Sequence, residues 1–407
     1  MRIIRFLLSA LTIALALAAC GGGGSPAPAT PAPTAGSSAP PVTSGGGSTS
    51  GEANVVAITV DGGTDGRAFN NPFVTVTVCV PGTSTCQDID HVLVDTGSFG
   101  LRIAASALNA SMALPKLTAP AGNTLAECAP FASGVAWGSV RSADVRVGGE
   151  SASALPVQVV NDSSIAPAPR ACSSLGGNFG VGASTKGILG IGAFAQDCGA
   201  GCAVTASSSL YYGCDASTCA ASTAPLASQV TNPIAYFATD NNGAVISLPA
   251  VPLTGASTVT GTLTFGVGTR SNNQLGNATV FAANSSGSVQ TTYNGTRYTA
   301  FFDTGSNALF FPDASMPQCF GGFYCPATTQ TLSAIVTSAT GVSATVSFSI
   351  EGFQSISSSA TAAPVGGSPA GLGKSFDWGL PFFFGRTVFV AIAGATTPAG
   401  IGPFWAF

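Results

Sequence analysis

The sequence has 407 residues, enough for one large two-lobed unit or two ordinary domains, each with a substantial core. Only 7% of its residues are charged and the formal net charge is -4, with Lys and Arg standing singly, so nucleic-acid binding is not expected. The single histidine, His91, excludes a multi-histidine metal site, and no metal or other cofactor is predicted.

The N-terminus has the organisation of a targeting segment. Two arginines precede the apolar run Phe6–Leu17, which is too short to span a bilayer comfortably. The following Ala18-Ala19-Cys20 resembles the end of a bacterial lipobox, so residues 1–19 are predicted as a signal peptide and Cys20 as the lipid-carrying residue. The alternative is a plain secretory signal with an incidental cysteine. Because Gly21 stands where an inner-membrane retention signal has Asp, we expect an outer-membrane lipoprotein that faces the periplasm or the cell surface.

Behind the predicted lipid anchor the chain changes from tether to folded domain. Residues 20–52 are Gly, Ser, Pro, Thr and Ala almost throughout, which predicts a disordered tether. From residue 53 onward, short runs of β-branched residues alternate with turn residues. Strands are predicted at Val55–Val60, Phe73–Val80, His91–Val94, Ser139–Val147, Ala154–Val160, Ala244–Leu248, Gly261–Gly266, Thr299–Phe302, Ala344–Ile350 and Arg386–Ile392. One short helix is expected at Leu226–Thr231 and others after each Asp-Thr-Gly turn, so the fold class is mostly β.

The cysteines indicate an oxidising compartment. Eleven are present, and those other than Cys20 can pair evenly as disulfides. Short spacings favour Cys79 with Cys86 and Cys319 with Cys325. The remaining group at 198, 202, 214 and 219 can form a cross-linked loop, and a zinc site on these four thiolates is the alternative.

One repeated sequence of four residues contains the predicted catalytic groups. Asp-Thr-Gly-Ser occurs at residues 95–98 and again at 303–306, each time behind an apolar strand. Chance places Thr-Gly-Ser after a given Asp on the order of one time in a thousand, so two occurrences are a strong signal. Paired carboxylates hydrolyse peptides when one is ionised and the other protonated, and two carboxylates about 3 Å apart cannot both ionise.

Each residue of the tetrad has a predicted role. Asp95 and Asp303 are predicted as the catalytic pair. The glycine permits a tight turn that brings main-chain N–H groups to the carboxylate, and the following hydroxyl can bond its outer oxygen. The predicted supporting residues are Thr96, Gly97, Ser98, Thr304, Gly305 and Ser306.

These motifs resemble the pepsin family of aspartic peptidases. Lys186–Gly192 and Trp378–Phe384 are similar to the hydrophobic-hydrophobic-Gly elements that cross under the two catalytic loops of that family. The resemblance implies a bilobal fold of two β-barrel-like lobes with a cleft between them, expected at residues 53–232 and 233–407. The whole pattern also resembles DUF3443, a proteobacterial lipoprotein family grouped with aspartic peptidases.

The predicted flap departs from the family pattern. The segment Phe131-Ala132-Ser133-Gly134 resembles the flap hairpin, but Phe131 stands where the flap tyrosine is expected. Arg102 stands where the tryptophan partner of that tyrosine is common. Phe131, Ser133, Gly134 and Arg102 are therefore predicted to bind substrate or support the flap, and Arg102 is expected to hold an acidic substrate group, to pair with a carboxylate or to be a solvated residue at a helix start.

Two functions follow from this sequence. The first is an aspartic endopeptidase of the cell envelope that takes a peptide or protein substrate and is held to the membrane by its lipid. The second is a non-catalytic lipoprotein that binds peptide or glycan in the cleft. We expect a monomer in either case.

Overall fold

The computed structural model describes residues 52–177, 184–206, 210–369 and 373–407. The predicted signal peptide, Cys20 and all but the last residue of the predicted tether lie outside these ranges. Within the described ranges, no helix has the length and apolar character needed to cross a membrane.

Strands dominate the chain, and the prediction of a mostly β fold is confirmed. The strands up to residue 221 are β1 Val55–Val60, β2 Pro72–Cys79, β3 Cys86–Asp95, β4 Phe99–Ala104, β5 Thr124–Phe131, β6 Gly134–Val147, β7 Glu150–Val160, β8 Gly187–Ile191, β9 Tyr211–Cys214 and β10 Cys219–Ala221. The later strands are β11 Gly243–Leu248, β12 Val259–Phe265, β13 Val280–Ala282, β14 Val289–Tyr293, β15 Thr296–Asp303, β16 Leu309–Phe310, β17 Gln330–Thr337, β18 Ser343–Ile350, β19 Gly366–Gly367, β20 Ser375–Gly379, β21 Arg386–Ala391, β22 Thr396–Thr397, β23 Gly400–Ile401 and β24 Phe404–Ala406.

The described helices are short, and the predictions of a helix at Leu226–Thr231 and after each Asp-Thr-Gly turn are wrong. The α-helices of the described residues are α1 Arg170–Ser173 and α2 Ala200–Val204. The predicted helix at Leu226–Thr231 is only a 3-10 turn, Leu226–Ser228, because the chain returns to an extended conformation at Gln229. After each Asp-Thr-Gly turn the chain enters a strand rather than a helix, β4 in the first case and β16 in the second. Apolar residues that follow a turn suit either element when sequence pattern alone is considered.

The strands form two main sheets. A 15-stranded sheet has the order β10-β9-β5-β6-β7-β4-β8-β3-β2-β1-β12-β11-β21-β24-β13, and a 7-stranded sheet has the order β18-β17-β14-β15-β20-β16-β19. Strand β1 pairs with β2 on one side and with β12 on the other, so the large sheet is continuous from the first half of the chain into the second.

The two halves repeat one arrangement, which confirms the bilobal fold. In the first half β8 lies parallel to β3 and antiparallel to β4, which places Gly190 beside Asp95. In the second half β20 lies parallel to β15 and antiparallel to β16, which places Gly379 beside Asp303. The two glycine elements predicted from the sequence therefore cross at equivalent points of the two lobes.

Apolar packing holds both loops from behind. Leu101 and Leu309, each six residues beyond its Asp, are fully buried. Under the second loop, the Phe302 and Trp378 rings stack with centroids 6.3 Å apart, and the indole nitrogen of Trp378 donates to the Thr291 hydroxyl at 2.9 Å. Close packing of this kind resists small displacements of the loops it supports.

Five disulfides connect the ten described cysteines, as their even number predicts. The two pairs expected from short spacing, Cys79–Cys86 and Cys319–Cys325, are confirmed. The other pairs are Cys128–Cys172, Cys198–Cys202 and Cys214–Cys219. The four cysteines considered for zinc are thus joined two by two within their own loops.

Candidate active site

The two Asp-Thr-Gly-Ser loops meet between the lobes. Each loop begins at the last residue of a strand, β3 or β15, and the apolar run before the Asp draws that end of the strand toward the core. A Cβ added to Gly97 would lie 2.6 Å from Cγ of Asp303, and a Cβ added to Gly305 would lie 2.8 Å from Cγ of Asp95. Each glycine therefore leaves the space that the carboxyl group of the opposite lobe occupies.

The threonines lock the loops together. The backbone N–H of Thr96 donates to Oγ1 of Thr304 at 3.1 Å, and the N–H of Thr304 donates to Oγ1 of Thr96 at 3.0 Å. Each hydroxyl then donates across the interface, Thr96 to the carbonyl of Phe302 at 2.9 Å and Thr304 to that of Val94 at 2.7 Å. Both threonines are buried, so these four bonds tie one lobe to the other without competition from water.

Both carboxylates are oriented by their own loops in the same way. The N–H of Gly97 donates to Oδ1 of Asp95 at 2.8 Å, and the Ser98 hydroxyl donates to Oδ2 at 2.6 Å. In the second loop the N–H of Gly305 and the hydroxyl of Ser306 make the same bonds to Asp303, both at 2.8 Å. Every supporting residue predicted from the sequence thus contacts a carboxylate or the opposite loop.

The pair is electrostatically coupled. Burial raises the pKa of Asp303 well above its usual value, and the neighbouring carboxyl of Asp95 raises it further, against the lowering effect of the Ser306 and Gly305 bonds. Two carboxylates this close titrate as a unit, so the pair retains one proton over a range in which isolated carboxyls are ionised.

The carboxylates lie at the floor of a cleft. This cavity has a volume of about 380 Å³ and is lined by Asn71, Leu93, Asp95, Phe131, Ala132, Ser133, Ile188, Asp303, Gly305, Ser306, Asn307 and Phe310. Asp95 is 5% exposed and Asp303 is partly exposed. The lining is mixed: six of these twelve residues have polar side chains that can orient a ligand, and the others are apolar or glycine.

The predicted flap forms and covers this cleft. Strands β5 and β6 make a hairpin whose end residues, Phe131 and Gly134, pair across the turn. Phe131 and Ser133 line the cleft, whereas Gly134 is buried and serves the turn with a φ of 147°. The phenyl ring of Phe131 offers apolar contact to a ligand but no hydroxyl.

Arg102 lies beneath the flap, buried among internal partners. It is 3% exposed, and its guanidinium donates to Oε1 of Glu127 at 2.6 Å and to Oδ2 of Asp197 at 3.2 Å. Its charge also lies over the Phe131 ring, 5.6 Å from the centroid. Of the readings open from the sequence, pairing with a carboxylate is the one the structure supports, and a solvated residue at a helix start is wrong.

The group around Arg102 has shifted pKa values. Burial alone would lower the pKa of Arg102, but the charges of Glu127 and Asp197 raise it. Burial raises the pKa of Asp197 well above its usual value, and the nearby Glu127 raises it further. Tyr211 donates to Asp197 at 2.7 Å and so completes the cluster. A side pocket of about 160 Å³ next to the cleft reaches Arg102, Glu127 and Asp197.

The sequence analysis did not identify three acidic residues near the site: Glu127 and Asp197, which bind Arg102, and Asp377. Glu127 and Asp197 carried no motif, and only the unusual Arg102 indicated that buried acids must lie nearby. Asp377 lies behind the second loop at 1% exposure, and its signal was a single acid directly before the apolar glycine element Trp378–Phe384. Within the described residues, no group of three or more His, Cys, Asp or Glu side chains is placed to hold a metal ion.

Comparison with known proteins gives a family and a distant structural likeness. The family model described as "Protein of unknown function (DUF3443)" matches residues 50–407. No curated protein matches the sequence. The crystal structure of the aspartic proteinase from Irpex lacteus is similar over 86% of this chain and 96% of that chain, with a TM-score of 0.49 and 16% sequence identity. The fold assignment therefore rests on the strand pairing and loop geometry of this chain.

Proposed function

The chain belongs to the DUF3443 family, and from this premise and its paired carboxylates we propose that it is an aspartic endopeptidase of the cell envelope. One observation carries the proposal: two carboxyl groups from different lobes face each other across glycines at the floor of an open cleft. Like charges held this close are costly and are usually maintained for chemistry.

The proposed reaction uses the single proton that the pair retains. The ionised carboxylate accepts a proton from a water molecule as the water oxygen attacks the peptide carbonyl carbon. The protonated carboxyl gives its proton to the carbonyl oxygen, which forms a tetrahedral intermediate. The C–N bond then breaks as the amine nitrogen takes the proton of the now protonated carboxyl, while one hydroxyl of the intermediate gives its proton to the other carboxylate, so the dyad again holds one proton.

The pH dependence follows from the coupled titration. Activity needs one proton on the pair, so it rises as the first proton leaves and falls as the second leaves. Because the pKa of Asp303 is raised, the second step lies above the usual carboxyl range. We expect a bell-shaped profile of kcat/KM with its maximum at acid pH.

The test is cleavage of an unbiased peptide library between acid and neutral pH. We expect Asp95→Asn and Asp303→Asn each to lower kcat/KM by about 10²–10⁴-fold, because each removes one partner of the acid-base pair. Asp88→Asn makes the same chemical change on an exposed strand residue and should leave cleavage unchanged.

Binding without cleavage is the second candidate function. The Phe131 ring cannot donate a hydrogen bond to a bound peptide, which favours this candidate over an enzyme with a hydrogen-bonding flap. Library peptides or glycans that bind but stay intact would support it. Equal cleavage by wild type and both Asp→Asn variants would exclude the proposed active site.

A further inference from the structure

A third carboxyl group lies behind the second catalytic loop. Asp377 belongs to β20, stands between the fully buried Phe376 and Trp378, and is itself 1% exposed. Among the described residues neither of its carboxyl oxygens has a hydrogen-bond partner. An ionised carboxylate without a partner is prohibitively costly in such a place, so Asp377 retains its proton.

The other lobe has an apolar residue at the same point. Asp377 pairs with Phe301, two residues before Asp303, and Ile188 pairs with Leu93, two residues before Asp95. Asp377 is therefore the counterpart of Ile188. Because an isoleucine serves this position in the first lobe, packing alone does not require an acid in the second.

The surroundings of Asp377 belong to the active site. The titratable groups that face it are the carboxyls of Asp303 and Asp95, and burial, followed by these charges, raises its pKa well above the usual value. The Ser306 hydroxyl is close enough to oppose this rise. That hydroxyl has one proton, which it donates to Oδ2 of Asp303 at 2.8 Å, so its oxygen is left to accept a hydrogen bond from Asp377.

We propose that Asp377 is a positioning residue of the dyad: its protonated carboxyl turns to donate to Oγ of Ser306 and so keeps the Ser306 proton directed at Asp303. A hydroxyl that accepts a hydrogen bond becomes a better donor. The chain from Asp377 through Ser306 stabilises the charged form of Asp303. This inference rests on the proposed function, in which the dyad works with a single charge.

The arrangement makes the two lobes chemically unequal. Ser98 donates to Asp95 in the same way as Ser306 donates to Asp303, but Ile188 provides no proton behind it. Carboxyls placed in unequal surroundings divide the roles of acid and base between them.

Two substitutions distinguish the effect of the hydrogen-bond donor of Asp377 from the effect of its side-chain shape. Asp377→Ile places the residue of the first lobe in the second, and Asp377→Asn keeps a neutral donor of nearly the same size. We expect D377I to move the alkaline limb of the kcat/KM profile, which follows the ionisation of Asp303, upward by about one pH unit, the effect of one hydrogen bond to a charged group. D377N should keep the wild-type profile. A purely structural role predicts a changed Tm in D377I with an unmoved profile.

A titration without turnover keeps this test independent of the proposed function. Carbon-13 NMR of the aspartate carboxyls gives the second ionisation step of the dyad, that of Asp303, in wild type, D377I and D377N. A step that rises in D377I alone supports the inference, even if no variant cleaves a peptide. A step unmoved in both variants, or raised equally in both, overturns it, as does an Asp377 that ionises before the dyad.

Discussion

The active-site threonines are the residues on which the meeting of the two carboxylates depends. Each hydroxyl accepts from the backbone of the opposite loop and donates to a carbonyl behind it, so no single loop holds its geometry alone. A valine has the same shape but leaves a buried N–H and a buried carbonyl unpaired.

We expect Thr96→Val and Thr304→Val each to lower the free energy of unfolding by about 2 kcal/mol, the cost of unpaired buried groups. Thr331→Val, at an exposed strand position, should change it by no more than about 0.5 kcal/mol. Urea unfolding measures all three. Because the two threonines form one network, the double variant should cost less than the sum of the singles; additive costs would show that the bonds act separately.

The flap is the element that departs most from the pepsin pattern. Its base strand β5 carries Glu127, and β4, which follows the first catalytic loop, carries Arg102, so the ion pair between them ties the flap to that loop. Asp197 brings a second acid to the same guanidinium. The buried arginine thus replaces a hydrogen bond at the flap tip with a charged cluster at its base.

We expect Arg102→Met to destabilise the fold by about 3–5 kcal/mol at neutral pH, because it leaves two buried acids without a cation. The pKa of Asp197 is already raised in the fold, and a carboxyl with a raised pKa destabilises the folded state increasingly as pH rises above the unfolded value. The cost should therefore shrink between pH 7 and pH 4, as measured by urea unfolding. Arg146→Met, at an exposed position, is the control; a cost independent of pH would contradict the account.

Sequence predicted this element in outline only. The resemblance of residues 131–134 to the family's flap predicted the hairpin, but its first strand, β5, was not among the predicted strands. The partners of Arg102 could not be predicted, because Glu127 and Asp197 reach it through a fold that brings together residues 25 and 95 positions away. The strands after the two catalytic loops were mistaken for helices because short apolar runs do not distinguish the two.

At the scale of the whole molecule, the repeated tetrad was the most informative feature. Two copies, each behind an apolar strand and each followed by a glycine element, carried the resemblance to the pepsin family that implied the bilobal fold, and they named all of the loop residues that hold the carboxylates. Asp377 was not singled out, since a lone acid in an apolar strand reveals its position relative to the dyad only through the strand register.

The location in the cell envelope is predicted from the N-terminal segment with Cys20 and remains a prediction. If Cys20 carries lipid, Cys20→Ser should abolish labelling with a radioactive fatty acid and move the protein from the membrane fraction to the soluble periplasmic fraction. Gly21→Ala, which keeps the cysteine, should remain with the membrane. Membrane association of the serine variant equal to that of wild type would contradict the lipid anchor.

The central claim is that two carboxyls of different lobes hold one proton at an open cleft, and binding of a hydroxyl-bearing peptide isostere tests it most directly. Such an isostere places a tetrahedral carbon and a hydroxyl where the dyad binds the reacting group. Wild type should bind it at least about 10²-fold more tightly than the matching deoxy isostere, the lower end for transition-state analogues. Asp303→Asn should lose that preference. Equal calorimetric affinity of wild type for the two isosteres would contradict the claim.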